Sequence, residues 1–182
     1  MTSAHVYIGI SLDGFIARKD DQIDWLDAFD VEGEEHGYDA FMEEMDVVVM
    51  GRRTYEKVLT FGFWPFSKPV VVLSNTLTGA DVPDENAGKA EFFTGSPQDV
   101  LAHLDSKGWS KAYLDGGQVI QSFLRDGLVS DMILTRLPIL IGEGLSLFGP
   151  VARDVRLEHI ETKSFSKSGF VQSRYKVLNG AD

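Results

Sequence analysis

Val47-Val48-Val49-Met50-Gly51-Arg52-Arg53-Thr54-Tyr55-Glu56 is the stretch on which the fold turns. An apolar, largely β-branched run reads as a buried strand. A glycine, two arginines and a threonine follow, and then a polar, helix-compatible segment. Such a turn sets orphan backbone N–H groups, a hydroxyl and guanidinium groups at a helix start, where partial positive charge favours anions. The same residues also suit a plain strand-to-helix turn with solvent-facing arginines. A second turn of this type, Asp115-Gly116-Gly117-Gln118, adds weight to the phosphate reading.

Outward from this point the chain alternates. Residues 5–12 (HVYIGISL) read as a first strand, ended by a turn or bulge at Asp13-Gly14. Residues 20–37 are acidic and read as loop with some helix, and 38–45 have helical spacing. Strands are expected at 46–50, 70–74, 91–94, 111–115 and 129–137, with an aromatic, proline-containing loop at 61–69 and a polar connection at 79–90. Ser96-Pro97 reads as an N-cap with proline at the first helical position, opening a helix to about Lys107. A further helix runs from Gln118 to Arg125, and Pro138 to Pro150 is glycine-rich. Two closing strands, near 155–165 and 169–178, are joined by the turn Ser166-Lys167-Ser168-Gly169. This order predicts an α/β domain: a mostly parallel sheet, helices on both faces, and an antiparallel hairpin at one edge. No linker, repeat or low-complexity segment divides it, so residues 1–182 are expected to form one domain.

Composition narrows the function. The 182 residues carry a formal net charge of -11, which repels nucleic acid and anionic membrane over most of the surface. There is no cysteine, hence no disulfide framework or thiolate chemistry. No apolar run reaches the length of a membrane span, and the N-terminus lacks a signal-peptide pattern, so a cytoplasmic location is expected. His5, His36, His103 and His159 lack ligand spacing, and Asp20-Asp21-x-x-Asp24 lacks the glycine and final glutamate of a calcium loop, so no metal is expected. Gly9-Ile10-Ser11-Leu12-Asp13 lacks the second glycine of a nucleophile elbow.

Two phosphate-type turns after parallel strands point to a dinucleotide at strand C-terminal ends. The G-x-G-x-x-G fingerprint is absent: Gly142-Glu143-Gly144 follows Pro138 and leads into no clear helix. The strand at 70–74 ends in Ser74-Asn75-Thr76 with no carboxylate for a free ribose 2′-hydroxyl. Arg52, Arg53, Ser74 and Thr76 therefore lean toward NADPH over NADH, although each also suits capping or solvating a strand end.

The pattern resembles the dihydrofolate reductase-like fold. It is more closely similar to the branch related to the C-terminal reductase domain of the bifunctional riboflavin-biosynthesis deaminase-reductase. The matching pieces are Ser11-Leu12-Asp13-Gly14-Phe15-Ile16-Ala17, Met50-Gly51-Arg52-Arg53-Thr54-Tyr55-Glu56, Val71-Val72-Leu73-Ser74, Asp115-Gly116-Gly117, and Pro138-Ile139-Leu140-Ile141-Gly142-Glu143-Gly144 with Leu147-Phe148. The resemblance implies a three-layer fold and NADPH. It implies phosphates at Gly51, Arg52 and Thr54, with Arg53 beside them, and the adenosine ribose near Ser74 and its neighbour Asn75. It implies the pyrophosphate at Gly116 and Gly117, with Gln118 and Val119 next, and the nicotinamide beside Ile16 and Ala17. A homodimer is implied in the same way.

The substrate side is less decided by sequence. Dihydrofolate reductases hold a pterin with one carboxylate on the helix after a tryptophan. Here Asp30 follows Trp25 at that spacing and is the candidate polar anchor and catalytic acid. Asp24, Asp27, Glu32, Glu34 and Glu35 crowd the same stretch, which also reads as a solvated acidic loop, and Glu32-Gly33-Glu34-Glu35-His36-Gly37 breaks the expected helix. A phosphoribosyl substrate needs cations near the pocket, and the candidates are Arg18, Lys19, Arg136 and Arg153. The zinc deaminase module is excluded, since its site needs cysteines. Phe61, Phe63, Trp64 and Phe66 suit a ring pocket, a dimer contact or core packing. The expectation is an NADPH-dependent oxidoreductase acting on a small heterocycle, pterin- or pyrimidine-like. The alternatives are the 5-amino-6-(5-phosphoribosylamino)uracil reductase of riboflavin biosynthesis and a non-catalytic NADPH-binding sensor.

Overall fold

Alternate residues of the 47–50 run face opposite ways. Val47 and Val49 pack in one hydrophobic cluster, Val48 and Met50 in another, and all four are fully buried. A strand covered on both faces belongs in the middle of a layered sheet. The computed structural model describes residues 1–29, 31–77, 82–83 and 86–178. In chain order the elements are β1 (Ser3–Ser11), β2 (Phe15–Ala17), α1 (Asp24–Asp27), α2 (Tyr38–Glu44), β3 (Val47–Gly51), α3 (Arg52–Leu59), β4 (Val70–Leu73) and β5 (Ala90–Phe93). There follow α4 (Pro97–Ser106), β6 (Lys111–Asp115), α5 (Gly117–Arg125), β7 (Val129–Leu137), β8 (Leu145–Ser146), β9 (Arg156–Ser164) and β10 (Val171–Leu178).

Eight strands form one sheet in the order β5-β4-β3-β6-β1-β7-β10-β9. The first six are mutually parallel, and β10 and β9 add antiparallel. Helices α4 and α5 supply Val100, Leu104, Ile120 and Phe123 to one face. Helices α2 and α3 supply Phe41, Met42, Tyr55 and Val58 to the other. The expected α/β architecture is present, with a parallel centre and an antiparallel edge.

Local chemistry explains the element ends. Ser96 Oγ accepts from Asp99 N at 3.2 Å while the Asp99 carboxylate accepts from Ser96 N at 2.9 Å, a reciprocal cap that starts α4 with Pro97 at its first position. The Ser11–Gly14 turn closes through Ser11 Oγ donating to Asp13 Oδ1 at 2.6 Å. Asp13 also accepts from Gly142 N at 2.8 Å, tying this turn to the glycine-rich segment. That tie brings β2 and β8 together as a separate two-stranded sheet, for which the sequence carries no local strand signature. The first strand starts at Ser3 rather than at residue 5 because Ser3 N bonds Ser110 O and Ser3 pairs with Lys111. Part of the polar connection expected over 79–90 lies outside the described residues. No helix among the described residues is long and apolar enough to cross a membrane.

Candidate active site

The chain leaves two neighbouring parallel strands, β3 and β6, in opposite directions. From β3 it enters α3, on the face of Tyr55 and Val58; from β6 it enters α5, on the face of Ile120 and Phe123. Such divergence opens a crevice at the strand C-terminal ends, where open α/β sheets bind ligands. A cavity of about 730 Å³ lies there, within the usual range for ligand sites.

Its first wall is the Gly51–Lys57 turn and helix. Gly51 is the N-cap residue of α3 and has no side chain to cap it, so the first N–H groups of the helix have no side-chain partner at that position. Gly51, Arg53, Thr54 and Lys57 line the cavity. Arg53 Nη2 donates to Asp21 Oδ2 at 2.5 Å, and Lys57 Nζ donates to Gln22 Oε1 at 3.0 Å. Both cations thus lean on the same loop across the opening. Arg52 is not among the lining residues; it is half-exposed and pairs with Glu56 at 3.8 Å, one turn along the helix.

The second wall is the Asp115–Val119 turn. Gly116 takes φ +89°, the left-handed half of backbone space, and caps α5 without a side chain. A Cβ on Gly117 would stand 2.8 Å from Ile16 Cδ1, so this glycine lets β2 close over the turn. Gly116, Gly117, Gln118, Val119, Ile16 and Ala17 all line the cavity. Gln121, one turn into α5, donates to Ser146 O at 3.0 Å and holds β8 against the same wall.

Ser74 and Asn75 stand elsewhere, at the end of β4, and are not among the lining residues. Ser74 Oγ accepts from Leu77 N at 2.9 Å and Thr76 N at 3.2 Å, which makes it a turn-former. Asp30, the candidate carboxylate, lies outside the described residues. Trp25, which set its spacing, is buried against Leu137 and Phe170.

The remaining wall contains residues with no local sequence signature. Tyr7, Tyr38 and Tyr113 converge from β1, α2 and β6; the Tyr7–Tyr38 and Tyr38–Tyr113 ring centroids are 5.5 and 6.3 Å apart. Tyr113 Oη donates to Tyr7 O at 3.1 Å, and Tyr7 Oη donates to His36 O at 2.8 Å. Phe61, Pro65 and Phe66 complete the apolar side, whereas Phe63 is exposed and Trp64 packs on the core beside Tyr55.

Asp115 lines the same cavity as a buried carboxylic acid. Burial pushes its carboxyl up to about 6, against the lowering effect of a hydrogen bond from Gly116 N–H. Burial, with the neighbouring Asp115 charge second, raises the Tyr38 hydroxyl to about 12. An acid with a raised pKa among apolar walls is a recurrent mark of functional sites. Asp115 was legible in the Asp-Gly-Gly motif, but only the fold shows that it lines the cavity. Among the described residues, no three His, Asp or Glu side chains gather as a metal site.

The RibD C-terminal domain family model matches residues 5–169. The Bacillus subtilis protein YwjB is 33% identical over 174 residues, covering 93% of this chain and 95% of its own. A crystal structure of a putative riboflavin biosynthesis protein from Shewanella sp. PV-4 superposes with a TM-score of 0.90 at 39% identity, covering 97% of this chain and 99% of that one. Dihydrofolate reductase from Enterococcus faecalis, complexed with NADP(H), shares the fold with a TM-score of 0.61 at 17% identity, covering 96% of each chain.

Proposed function

Because this chain belongs to the RibD C-terminal domain family, we propose that it is an NADPH-dependent reductase that delivers hydride to a small planar heterocycle, pterin- or pyrimidine-like. The observation that carries the reading is the pair of helix starts, at Gly51 and Gly116, that face one cavity without side-chain caps. Free N–H groups at two helix starts, with Arg53 in the first turn of α3, suit the several phosphates of a dinucleotide. Gly116 and Gly117 leave the backbone bare where a pyrophosphate would approach. Ile16 and Ala17 would flank the nicotinamide, and Ser74 and Asn75 would meet the ribose end from outside the cavity.

With a nicotinamide held beside Ile16 and Ala17, hydride would come from that ring. The chain orients the acceptor between the tyrosine cluster and the cofactor side, and the apolar wall excludes water. Asp115, with its raised pKa, holds a proton at its carboxyl oxygen for an acceptor nitrogen or accepts a hydrogen bond from one. Asp30 remains a second carboxylate candidate.

Residues 1–182 are read as one such domain. A homodimer is also proposed. Strand β9 is a sheet edge with all nine residues exposed, Ile160 at 50%, and an unprotected edge of that length is suited to pairing with another copy. A cytoplasmic location accords with the cysteine-free composition.

Family membership favours a second reading, reduction of 5-amino-6-(5-phosphoribosylamino)uracil. A non-catalytic NADPH sensor would bind the cofactor and leave it unoxidised whichever acceptor is offered. Thermal unfolding with NADPH and NADH separates these first. A ligand at about 100-fold its Kd adds roughly 2.7 kcal/mol, a midpoint rise of about 5–10 °C. A larger shift with NADPH than with NADH, followed by acceptor-dependent NADPH oxidation, supports the reductase. No shift with either removes it.

A further inference from the structure

The loop between β2 and α1 folds back on itself at the cavity opening. Asp21 N donates to Arg18 O at 3.1 Å and Arg18 N to Gln22 O at 2.8 Å, which closes a tight turn over residues 18–22. Two of its charged groups are satisfied locally: Arg18 Nε and Nη2 hold the two carboxylate oxygens of Asp24 at 2.7 and 3.1 Å, and Asp20 Oδ1 accepts from Gln22 N at 3.2 Å. Asp21 differs. It alone among the described non-glycine residues takes a left-handed backbone, φ +64°, in a position that glycine or asparagine ordinarily fills. Its carboxylate leaves the turn and crosses the opening, where Asp21 Oδ2 accepts from Arg53 Nη2 at 2.5 Å. Asp21 and Arg53 both line the cavity. Lys57, one turn further along α3, reaches the same loop but rests on a neutral amide, Gln22 Oε1 at 3.0 Å, a contact that does not neutralise it.

Resting on the cofactor reading above, we infer that Asp21 is an internal competitor for the phosphates of the dinucleotide: its carboxylate holds the Arg53 donor that a phosphate oxygen takes on binding, and so sets the cofactor affinity. Carboxylate and phosphate oxygens are acceptors of the same kind for a guanidinium fork. One guanidinium charge cannot offset both anions. A phosphate brought to the α3 start beside an intact Arg53–Asp21 pair meets a neutralised arginine and a second anion, in a chain of net charge -11. Release of Asp21 gives the phosphate the full charge of Arg53. The Arg53 and Asp21 side chains are 43% and 37% exposed, so the pair is weak enough to exchange partners. The left-handed backbone points the same way. A glycine would make this turn without strain, whereas aspartate keeps the strain and supplies the carboxylate. The pair keeps Arg53 at the cavity and loosens the hold on the cofactor, and it re-forms as the oxidised dinucleotide leaves.

The test is a double-mutant cycle on NADPH binding, read by fluorescence titration at fixed ionic strength in the wild-type chain, Asp21→Asn, Arg53→Gln and the double variant. Asparagine tolerates the left-handed region, so Asp21→Asn keeps the turn and removes the charge. The expected result is that Asp21→Asn binds NADPH about threefold to tenfold more tightly, the range between an exposed ion pair and a charge-assisted hydrogen bond. In the Arg53→Gln background the same substitution should change the affinity by less than about twofold, because the contested donor is gone. Unchanged binding by Asp21→Asn overturns the inference. Weaker binding also overturns it, by making Asp21 a support that positions Arg53. So does an equal gain in both backgrounds, since the carboxylate would then act through its field and not through Arg53. In these three cases NADPH still binds the wild-type chain, and the reductase reading stands. Absence of NADPH binding in both the wild-type chain and Asp21→Asn overturns the two together.

Discussion

Gly116 and Thr54 stand so close across the β3–β6 crevice that a Cβ at position 116 would overlap Thr54 Oγ1. The two turns that face the cavity are therefore in contact, and each limits the other. Gly116→Ala meets this overlap and a φ of +89° that alanine avoids. It should destabilise the fold by about 1–3 kcal/mol in urea unfolding. It should also reduce the NADPH-induced thermal shift, because relief of the overlap moves one turn away from the other. A variant with unchanged stability and an unchanged NADPH shift would show that the contact constrains nothing.

Arg52 and Arg53 are neighbours in sequence but not in role. Arg53 lines the cavity, and Arg52 pairs outward with Glu56. Arg53→Gln should weaken NADPH about tenfold, the scale of a charge-assisted hydrogen bond. Arg52→Gln should change it by no more than about threefold, as expected of an exposed pair. Fluorescence titration of NADPH against both variants reads the difference. Equal losses would place both guanidinium groups on the phosphates.

Asp115 makes a pH prediction of definite sign. Its carboxyl rises from the ordinary 3.8 to about 6 on burial, so the folded protein binds this proton more tightly than the unfolded chain. This group's contribution to stability then falls as pH rises through the window from 3.8 to about 6, and stays lost above it. Asp115→Asn carries no charge to bury. Its unfolding midpoint should depend less on pH across that window and exceed the wild-type midpoint at neutral pH. A steeper dependence in the variant would contradict the burial of the charge.

Glu34 predicts the opposite slope. Its carboxylate accepts from Ser168 N at 2.9 Å and Lys167 N at 3.1 Å, tying the acidic loop to the β9–β10 turn. Hydrogen bonds, those of Ser168 foremost, lower it from 4.5 to about 2. Its contribution is present above 4.5 and is lost as pH falls toward 2. Glu34→Gln should lower the midpoint at neutral pH and flatten the acid limb of a pH-dependent thermal scan. An unchanged acid limb would mean that the clasp does not hold in solution.

The parallel strands were legible because their chemistry is local. Val47–Met50, Val70–Leu73 and Lys111–Asp115 are short apolar or β-favouring runs bounded by turn residues, and each boundary lies within a residue or two of the expected one. The β2–β8 sheet was not legible, since it joins three residues to two across some 130 positions and depends on the Asp13 clasp. The cavity wall divides in the same way. Gly51, Thr54, Gly116 and Gly117 lie in turns with their own signature. Tyr7, Tyr38, Lys57 and Gln121 come from four separate elements, and nothing near them in sequence marks them. Which of two adjacent arginines enters the cavity depends on helix phase at Gly51, which composition does not carry.

The placement of β1 has a consequence for synthesis. Residues Ser3–Ser11 sit between β6 and β7, so this strand is made well before residues 111–115 and 129–137, which flank it. At about 5–20 residues per second, its apolar face waits roughly ten seconds for its neighbours. Until then Val6, Ile8 and Ile10 have no sheet to enter, so the centre of the sheet is completed only when the second half of the chain arrives.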